Sequence, residues 1–546
     1  MNRWLKRRWL GFVCGLVCAL LAAPVLGLSV SVGENGIQAE VLHHPPYNLT
    51  GRKIAIGQIE IGRPALFGLD KAGATNRSVR PNRLFFRDSQ AEADRLVDRH
   101  AASVASVMIS RDKSLTGVAP DAVLYAAAVG IENRSEQPEE CLALQTLSLQ
   151  NGGDLRTINY SFGESLERDP RPNAVLDGNA LLTQCVDWSA RVHDVLHVVA
   201  GNQGRGGFPI PTDTFNGIVV ANSMAVNGRF TKVDFSSLGS EPTIVLGRDP
   251  ASESNVGARR SVGLVAPGNN LATISPDGET SSPASGTSFA APHVAATVAL
   301  LQEFGDRSIR EALQQPGNAE THWGLDARHQ LVMKAVLMNA ADKIEDSGNG
   351  LNLGMTRTLR DQRNLTWLES DAYEFTHLPL DAQMGTGHLN AFRAYQQFSP
   401  GQWRPGRIPT IGWDYRTVSL TNDQFSSPYR DYFFDAPLQR ESFISATLTW
   451  DRIVDLQDTN NNGQYDMGEQ FIDRQLNDLN LYLMPANADD IANAIWSSNS
   501  PVDSVEHIFH QIPQTGQYKL RVVFGDRVNE PIQPYALAWW GVARAD

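Results

Sequence analysis

Ser285–Ala296 reads SGTSFAAPHVAA, and this segment of the 546-residue chain decides how the rest is read. Ser288 follows Gly286-Thr287 and opens an apolar run with helical spacing, Ala290–Phe304. A hydroxyl in the first turn of a helix stands among N–H groups that have no helical partner, at the positive end of the dipole. That setting suits a nucleophile whose reaction develops negative charge nearby. It also suits a plain N-cap. Pro292 separates the two readings, because a proline inside the first turns removes one helical hydrogen bond and crowds the carbonyl four residues back. Ser288 is therefore a candidate nucleophile.

Outward from this segment, residues 51–398 alternate short apolar runs with longer helical patterns. Ile54–Ile61, Ala122–Val129, Val195–Ala200 and Gly217–Ala221 read as buried strands. Arg95–Ile109, Ala180–Arg191, Ala290–Phe304 and Val332–Ile344 read as helices. Near-continuous apolar strands alternating with helices predict an α/β fold, a parallel β-sheet flanked by helices on both faces. His100 heads the Arg95–Ile109 helix, and histidine is the side chain able to take and return a hydroxyl proton near neutral pH.

GTSFAAPHVAA resembles the nucleophile motif of the subtilisin-like serine peptidases, and the other motifs follow in that family's order of acid, histidine, serine. Asp98–Ala105, DRHAASVA, is similar to the histidine segment, with Ala101 and Ser103 where the family usually has glycine and a second histidine. Ile56–Gly62, IGQIEIG, puts Glu60 in the place of the family's aspartate. Glutamate is one methylene longer, so the backbone or the histidine has to shift to meet it. Asp70 is the alternative acid. Val198–Gly204, VVAGNQG, resembles the oxyanion segment, with Asn202 as the amide donor and Ala200 and Gly201 beside the substrate. Ile158–Gly163, INYSFG, resembles the segment that pairs with substrate backbone, through Ser161, Phe162 and Gly163. Gly117–Pro120, Val265–Gly268 and Gly385–Gly387 match further landmarks. A Gly-x-Ser-x-Gly elbow is excluded by Ala290, and no His-Glu-x-x-His supports a zinc peptidase.

Composition agrees with a globular exported protein. Forty-seven basic and 60 acidic residues give a net charge of −13, which lacks the basic footprint of a nucleic-acid binder. Met1–Arg8 carries Arg3, Lys6, Arg7 and Arg8, and an apolar run extends from Trp9 to Leu28. This has the form of a signal peptide, residues 1–27, with cleavage after Gly27. The mature chain would then carry −17 and be secreted or periplasmic, without a membrane association. An uncleaved membrane anchor is the other reading. Cys141 and Cys185 remain after cleavage and are available to pair; two buried thiols are the alternative.

Residues 28–50 form a short N-terminal segment, too short for the folded inhibitory propeptide that many members of the resembled family carry. Ser399–Pro409, SPGQWRPGRIP, reads as part of a linker spanning 399–411. Beyond it, residues 412–546 have period-two patterning. Tyr518, Leu520, Val522 and Phe524 share one face, and Phe443–Trp450, Leu479–Met484, Val505–Ile512 and Tyr535–Val542 are further strands. This predicts an all-β sandwich, of the kind attached to some members of the resembled family. Within it, Asp458–Glu469, DTNNNGQYDMGE, fits the D-x-N-x-N-G-x₅-E calcium pattern. Asp458, Asn460, Asn462, Gln464, Asp466 and Glu469 are the candidate ligands for a structural Ca²⁺, in a loop between strands.

The resemblance implies a serine endopeptidase acting on protein or peptide substrates, with Ser288 as nucleophile, His100 as base, Glu60 as its orienting acid and Asn202 in the oxyanion hole. A catalytically impaired relative acting as a peptide- or surface-binding module is the competing expectation, prompted by Glu60, by Ala101 and Ser103 beside His100, and by the missing propeptide. The sequence sets neither specificity nor oligomeric state.

Overall fold

The computed structural model describes residues 26–130, 136–172, 174–202, 209–226, 229–233, 259–314, 322–421 and 427–544. All of the expected leader except Leu26 and Gly27 lies outside these residues, as do Gln203 and Gly204 of the oxyanion segment. Among the described residues no helix is long and apolar enough to cross a membrane.

The centre is a mostly parallel sheet. Its strands run Ile218–Val226, Leu196–Ala200, Leu155–Tyr160, Ala55–Glu60, Val123–Ala128 and Arg83–Phe86 from one side to the other. Val262–Pro267 also pairs in parallel with Ile218–Val226. The order crosses over on both sides of Ala55–Glu60, which therefore sits centrally with every residue buried. Residues covered on both faces cannot alternate with polar ones, which explains the continuous apolar runs in the sequence.

Two helix layers cover the sheet. Arg99–Ile109 and Thr287–Leu313 pack on one face in a single apolar core with Val104, Met108, Val294, Val298 and Leu301. Gln137–Ser148 and Leu181–His193 pack on the other, and a disulfide joins them between Cys141 and Cys185, S–S 1.99 Å. Residues Leu28–Leu49, which the sequence set apart from the α/β domain, are built into it. Leu28, Val32, Ile37, Ala39, Leu42 and Leu49 are buried in the same core as the Thr287–Leu313 helix. The carboxylate of Glu303 on that helix accepts the N–H groups of Thr50, Gly51 and Arg52, fixing the entry to the central strand.

The C-terminal region forms two facing sheets. One contains Gly406–Ile408, Tyr429–Phe434, Tyr518–Phe524, Leu479–Pro485 and Trp496–Ser498; the other Ile411–Ser419, Ile532–Trp540, Phe443–Thr449 and Val505–Gln511. Tyr518, Leu520, Val522 and Phe524 point between them, as the alternation predicts.

The expected linker is not a loose tether. Gln402 Nε2 donates to Asp326 at 2.8 Å and Asp414 at 3.0 Å, and Gly406–Ile408 is a strand of the sandwich. The outer face of the four-stranded sheet covers helix Gln330–Asn339, all ten residues of which are buried. Ser445 and Thr447 donate to Asn339 Oδ1 at 2.8 and 3.1 Å. Trp413, Ala536 and Ala538 share the apolar core of the α/β domain. A fully buried ion pair, Arg452 to Asp187 at 2.6 Å, closes the seam on the far side. Truncation after Ser399 would expose the buried helix Gln330–Asn339 and leave the buried Asp187 without Arg452. We expect the truncated chain to be insoluble, and Trp413→Ala in the full chain to cost about 3–5 kcal/mol. A single cooperative melt for the full chain checks the shared core; two independent transitions would contradict it.

Candidate active site

The sheet delivers the candidate residues to one end. Glu60 is the last residue of its strand, Tyr160 leads directly into Ser161–Gly163, and Ala200 leads into Gly201 and Asn202. Ends of adjacent parallel strands are where open α/β sheets leave a crevice. His100 enters from the first turn of Arg99–Ile109, which Asp98 caps by accepting the Ala101 N–H. Gln58, two residues before Glu60, donates to the Ala101 carbonyl at 2.8 Å and pins the same turn.

His100 Nδ1 lies 3.2 Å from Glu60 Oε2. The carboxylate is buried, while 40% of the His100 side chain is open to solvent. The Glu60 charge, against the opposing effect of burial, raises the His100 pKa to about 9. Asp70, the alternative acid, is fully engaged elsewhere: both its oxygens bind the Arg63 guanidinium at 2.7 Å, and it accepts the N–H groups of Leu66 and Asp94. The structure therefore brings Glu60, not Asp70, to the histidine.

The nucleophile turn is held from three sides. Pro292 has no N–H to give the Ser288 carbonyl four residues earlier. Ser161 Oγ supplies the missing donor at 2.9 Å, and Asn159 Nδ2 in turn donates to Ser161 Oγ at 2.8 Å. Ser288 Oγ donates back to the Ser161 carbonyl at 2.9 Å, so the two serines exchange hydrogen bonds. Thr287 Oγ1 donates to the Gly201 carbonyl at 2.6 Å, tying the Asn202 segment to the residue before Ser288. The Gly268 carbonyl accepts the Gly286 N–H at 2.8 Å, and a Cβ on Gly268 would come within 2.5 Å of the Gly286 carbonyl. The Phe289 ring lies 5.4 Å from the His100 ring, bringing the histidine against the residue that follows Ser288.

Ser161, expected at the substrate edge, thus spends its hydroxyl on the nucleophile turn. Phe162 stacks on Tyr160 at 4.4 Å and Ala200, Gly201 and Asn202 are buried behind the turn. One neighbour went unread in the sequence: Glu140 on helix Gln137–Ser148 accepts from the Tyr160 hydroxyl at 3.4 Å. Burial, and then Glu164, push the Glu140 carboxyl well above its ordinary pKa. No motif flags it; only the fold places it beneath the Ser161–Gly163 edge.

The calcium-type loop lies between the paired short strands Val454–Leu456 and Phe471–Asp473. Asp458 accepts the N–H groups of Asn460, Asn461, Asn462 and Gly463, so the loop winds around its carboxylate. Asn460 and Asn462 both donate to Asp466 Oδ2, at 2.6 and 2.8 Å. Glu469 is taken up by Thr459 and the Asp466 N–H. Gln464 contributes its N–H to Asn462 Oδ1. Among the described residues the loop's carboxylates are not gathered into a metal-holding cluster. Between these residues Tyr465 is buried against the helix pair joined by the disulfide, and its main chain pairs with the Gln145 side chain.

The subtilase-family model, peptidase S8, matches residues 27–361, and the chain belongs to the subtilase family. It is 28% identical over 278 residues to an alkaline protease of Alkalihalobacillus alcalophilus, an alignment covering 50% of this chain and 60% of that one. It is also 28% identical over 278 residues to subtilisin Savinase of Lederbergia lenta, covering 50% of this chain and 85% of that one. A cold-adapted subtilisin-like serine proteinase of known structure is 19% identical, with 57% of this chain and 89% of that one covered and a TM-score of 0.36.

The His100–Glu60 pair sets a titration that can be measured. A histidine whose pKa is raised by folding adds stability below its unfolded value and loses it as pH rises through the folded value. By NMR the His100 imidazole should titrate near the raised value of about 9. Glu60→Gln should return it toward the ordinary histidine range near ~6.5. A His100 already titrating in that ordinary range in the wild type would show that the two side chains do not interact.

Proposed function

We propose that this chain is an exported serine endopeptidase that hydrolyses protein or peptide substrates through an acyl-enzyme. The observation that carries this reading is the junction of three elements at one sheet end: Glu60 on the His100 imidazole, His100 against Phe289, and Ser288 at the start of its helix. In the reaction Ser288 Oγ attacks the substrate carbonyl and its proton passes to His100. The same imidazolium then returns a proton to the leaving amine, and Glu60 stabilises the charged ring throughout. Asn202 and the Ser288 N–H face the developing oxyanion.

At rest the Ser288 hydroxyl points to the Ser161 carbonyl, and a protonated His100 offers it no acceptor. Activity on this reading waits for loss of the His100 proton, so it rises with pH toward the alkaline side. The impaired-relative alternative rests on Glu60 in place of aspartate; its contact with His100 at 3.2 Å speaks against it. A fluorophosphonate probe should label Ser288, and casein turnover should vanish in Ser288→Ala. For Asn202→Ala the yardstick is the measured value in subtilisin, itself a member of this family, where loss of such a donor costs about 10²–10³ in turnover. Unlabelled Ser288 in folded, alkaline samples, with casein intact, would favour the binding-module reading.

We also propose that the Asp458–Glu469 loop takes Ca²⁺. The support is the donor set: side-chain oxygens of Asp458, Asn460, Asn462, Asp466 and Glu469 with the Gln464 carbonyl, all hard ligands suited to this ion. The ion would supply charge neutralisation and cross-linking, not catalysis. Loading requires Glu469 to leave Thr459 and the two Asn amides to turn their oxygens inward. Because Tyr465 seats the loop on the α/β helices, calcium should raise the melting temperature of the full chain by mass action. Asp458→Ala should abolish that rise. A melt indifferent to chelator and to millimolar calcium alike would make the loop a plain polar turn.

A further inference from the structure

The short helix Leu28–Val32 lies against the nucleophile helix, and one side chain joins them. His293, five residues past Ser288, is fully buried. Its Nδ1 is 2.8 Å from the Phe289 carbonyl and its Nε2 is 2.9 Å from Ser31 Oγ. A carbonyl cannot donate, so Nδ1 carries the proton. Burial lowers the His293 pKa to about 4, which leaves the ring neutral at working pH and Nε2 an acceptor. The Ser31 hydroxyl has to be the donor. Its single proton then goes to His293 and not to the Leu28 carbonyl 3.1 Å away.

We propose that Ser31 is a positioning residue for the nucleophile: its hydroxyl fixes the His293 ring against the Phe289 carbonyl and so fixes the turn that carries Ser288. This rests on the peptidase reading above. Pro292 removes the turn's own hydrogen bond to Ser288, leaving the turn dependent on outside bracing. Two braces come from the sheet, Ser161 on the Ser288 carbonyl and Thr287 on Gly201. The third is the Ser31–His293–Phe289 chain, and it comes from the N-terminal segment. That segment is itself anchored near the nucleophile. Leu26–Gly27 pairs in parallel with Leu271–Ala272, and Leu271 exchanges both backbone hydrogen bonds with Ala284, four residues before Ser288. Leu28 and Val32 lock the helix by burial in the shared core.

The test uses the full chain with Ser31→Ala, Ser31→Thr, His293→Gln and the Ser31→Ala/His293→Gln pair. Turnover of a fluorogenic peptide is followed beside thermal melting. Ser31→Ala should lower kcat about fivefold, the factor that one net hydrogen bond represents, with KM unchanged and the chain still fully folded at the assay temperature. Ser31→Thr, which keeps the hydroxyl, should restore kcat. In the His293→Gln background Ser31→Ala should cost nothing further, since its path to Ser288 is already cut. Wild-type kcat in Ser31→Ala, or a fall in kcat that only follows a fall in melting temperature, would overturn the proposal. If the wild type turns over no faster than Ser288→Ala, the peptidase reading fails and this proposal falls with it, an outcome separate from the other two.

Discussion

Glu60 ends a strand that is buried along its whole length, and a carboxylate in that position has to find a cation or a set of donors. The fold answers with one ring: His100, brought in by a helix whose first turn is capped by Asp98 and pinned by Gln58. Much of the site follows from this requirement. The glutamate reaches 3.2 Å from Nδ1 while its strand still pairs with Val123–Ala128 up to Glu60 itself. The other oxygen, Oε1, is buried with no hydrogen-bond partner among the described residues. The Glu60 charge is the largest cause of the raised His100 pKa, opposed by burial and aided by Asp98.

A second constraint comes from Pro292. A helix that begins at Ser288 cannot also satisfy the Ser288 carbonyl when the residue four on is an imino acid. The fold replaces that one missing bond with a side chain from the sheet edge, Ser161, whose own carbonyl receives the Ser288 hydroxyl. Sheet and helix are thereby joined through Ser288 itself.

The placement of Ser288 and His100 at helix starts and of Glu60 at a strand end was legible because each residue type stands in a recognisable local pattern. The period-two pattern likewise placed Tyr518, Leu520, Val522 and Phe524 in the sandwich core. Other features were hidden for physical reasons. Helix Gln137–Ser148 buries Gln137, Glu140, Gln145 and Ser148 beside its apolar residues, so no clean apolar stripe marks it. Lys519 and Arg521 alternate as solvent-facing residues would, yet both are buried, because Asp431 on the neighbouring strand pairs with each at 3.0 and 2.6 Å. Residues 28–50 and 399–411 look like connectors by length and composition. Their roles depend on long-range partners, Ser31 on His293 and Gln402 on Asp326 and Asp414, that no local pattern announces.

Those long-range partners change what the C-terminal sandwich is. A module attached by a linker would bury its own core and leave the α/β domain's helices solvated on their outer faces. Here helix Gln330–Asn339 has no solvated face: the sheet lies on one side and strands Phe443–Thr449 and Ile532–Trp540 on the other. Asn339 makes the point at the level of one side chain. Its Oδ1 receives two sandwich hydroxyls, while its Nδ2 donates to Gln397, whose amide bonds the carbonyls of Gly412 and Trp539. A buried amide with every group satisfied across a seam is stable only while both sides are present, since removing either strands polar groups in an apolar setting. The same holds for Arg452, which meets Asp187, the Gly178 carbonyl and Asn216 from across the seam. The sandwich is therefore a further layer of a single molecule, packed on helix Gln330–Asn339.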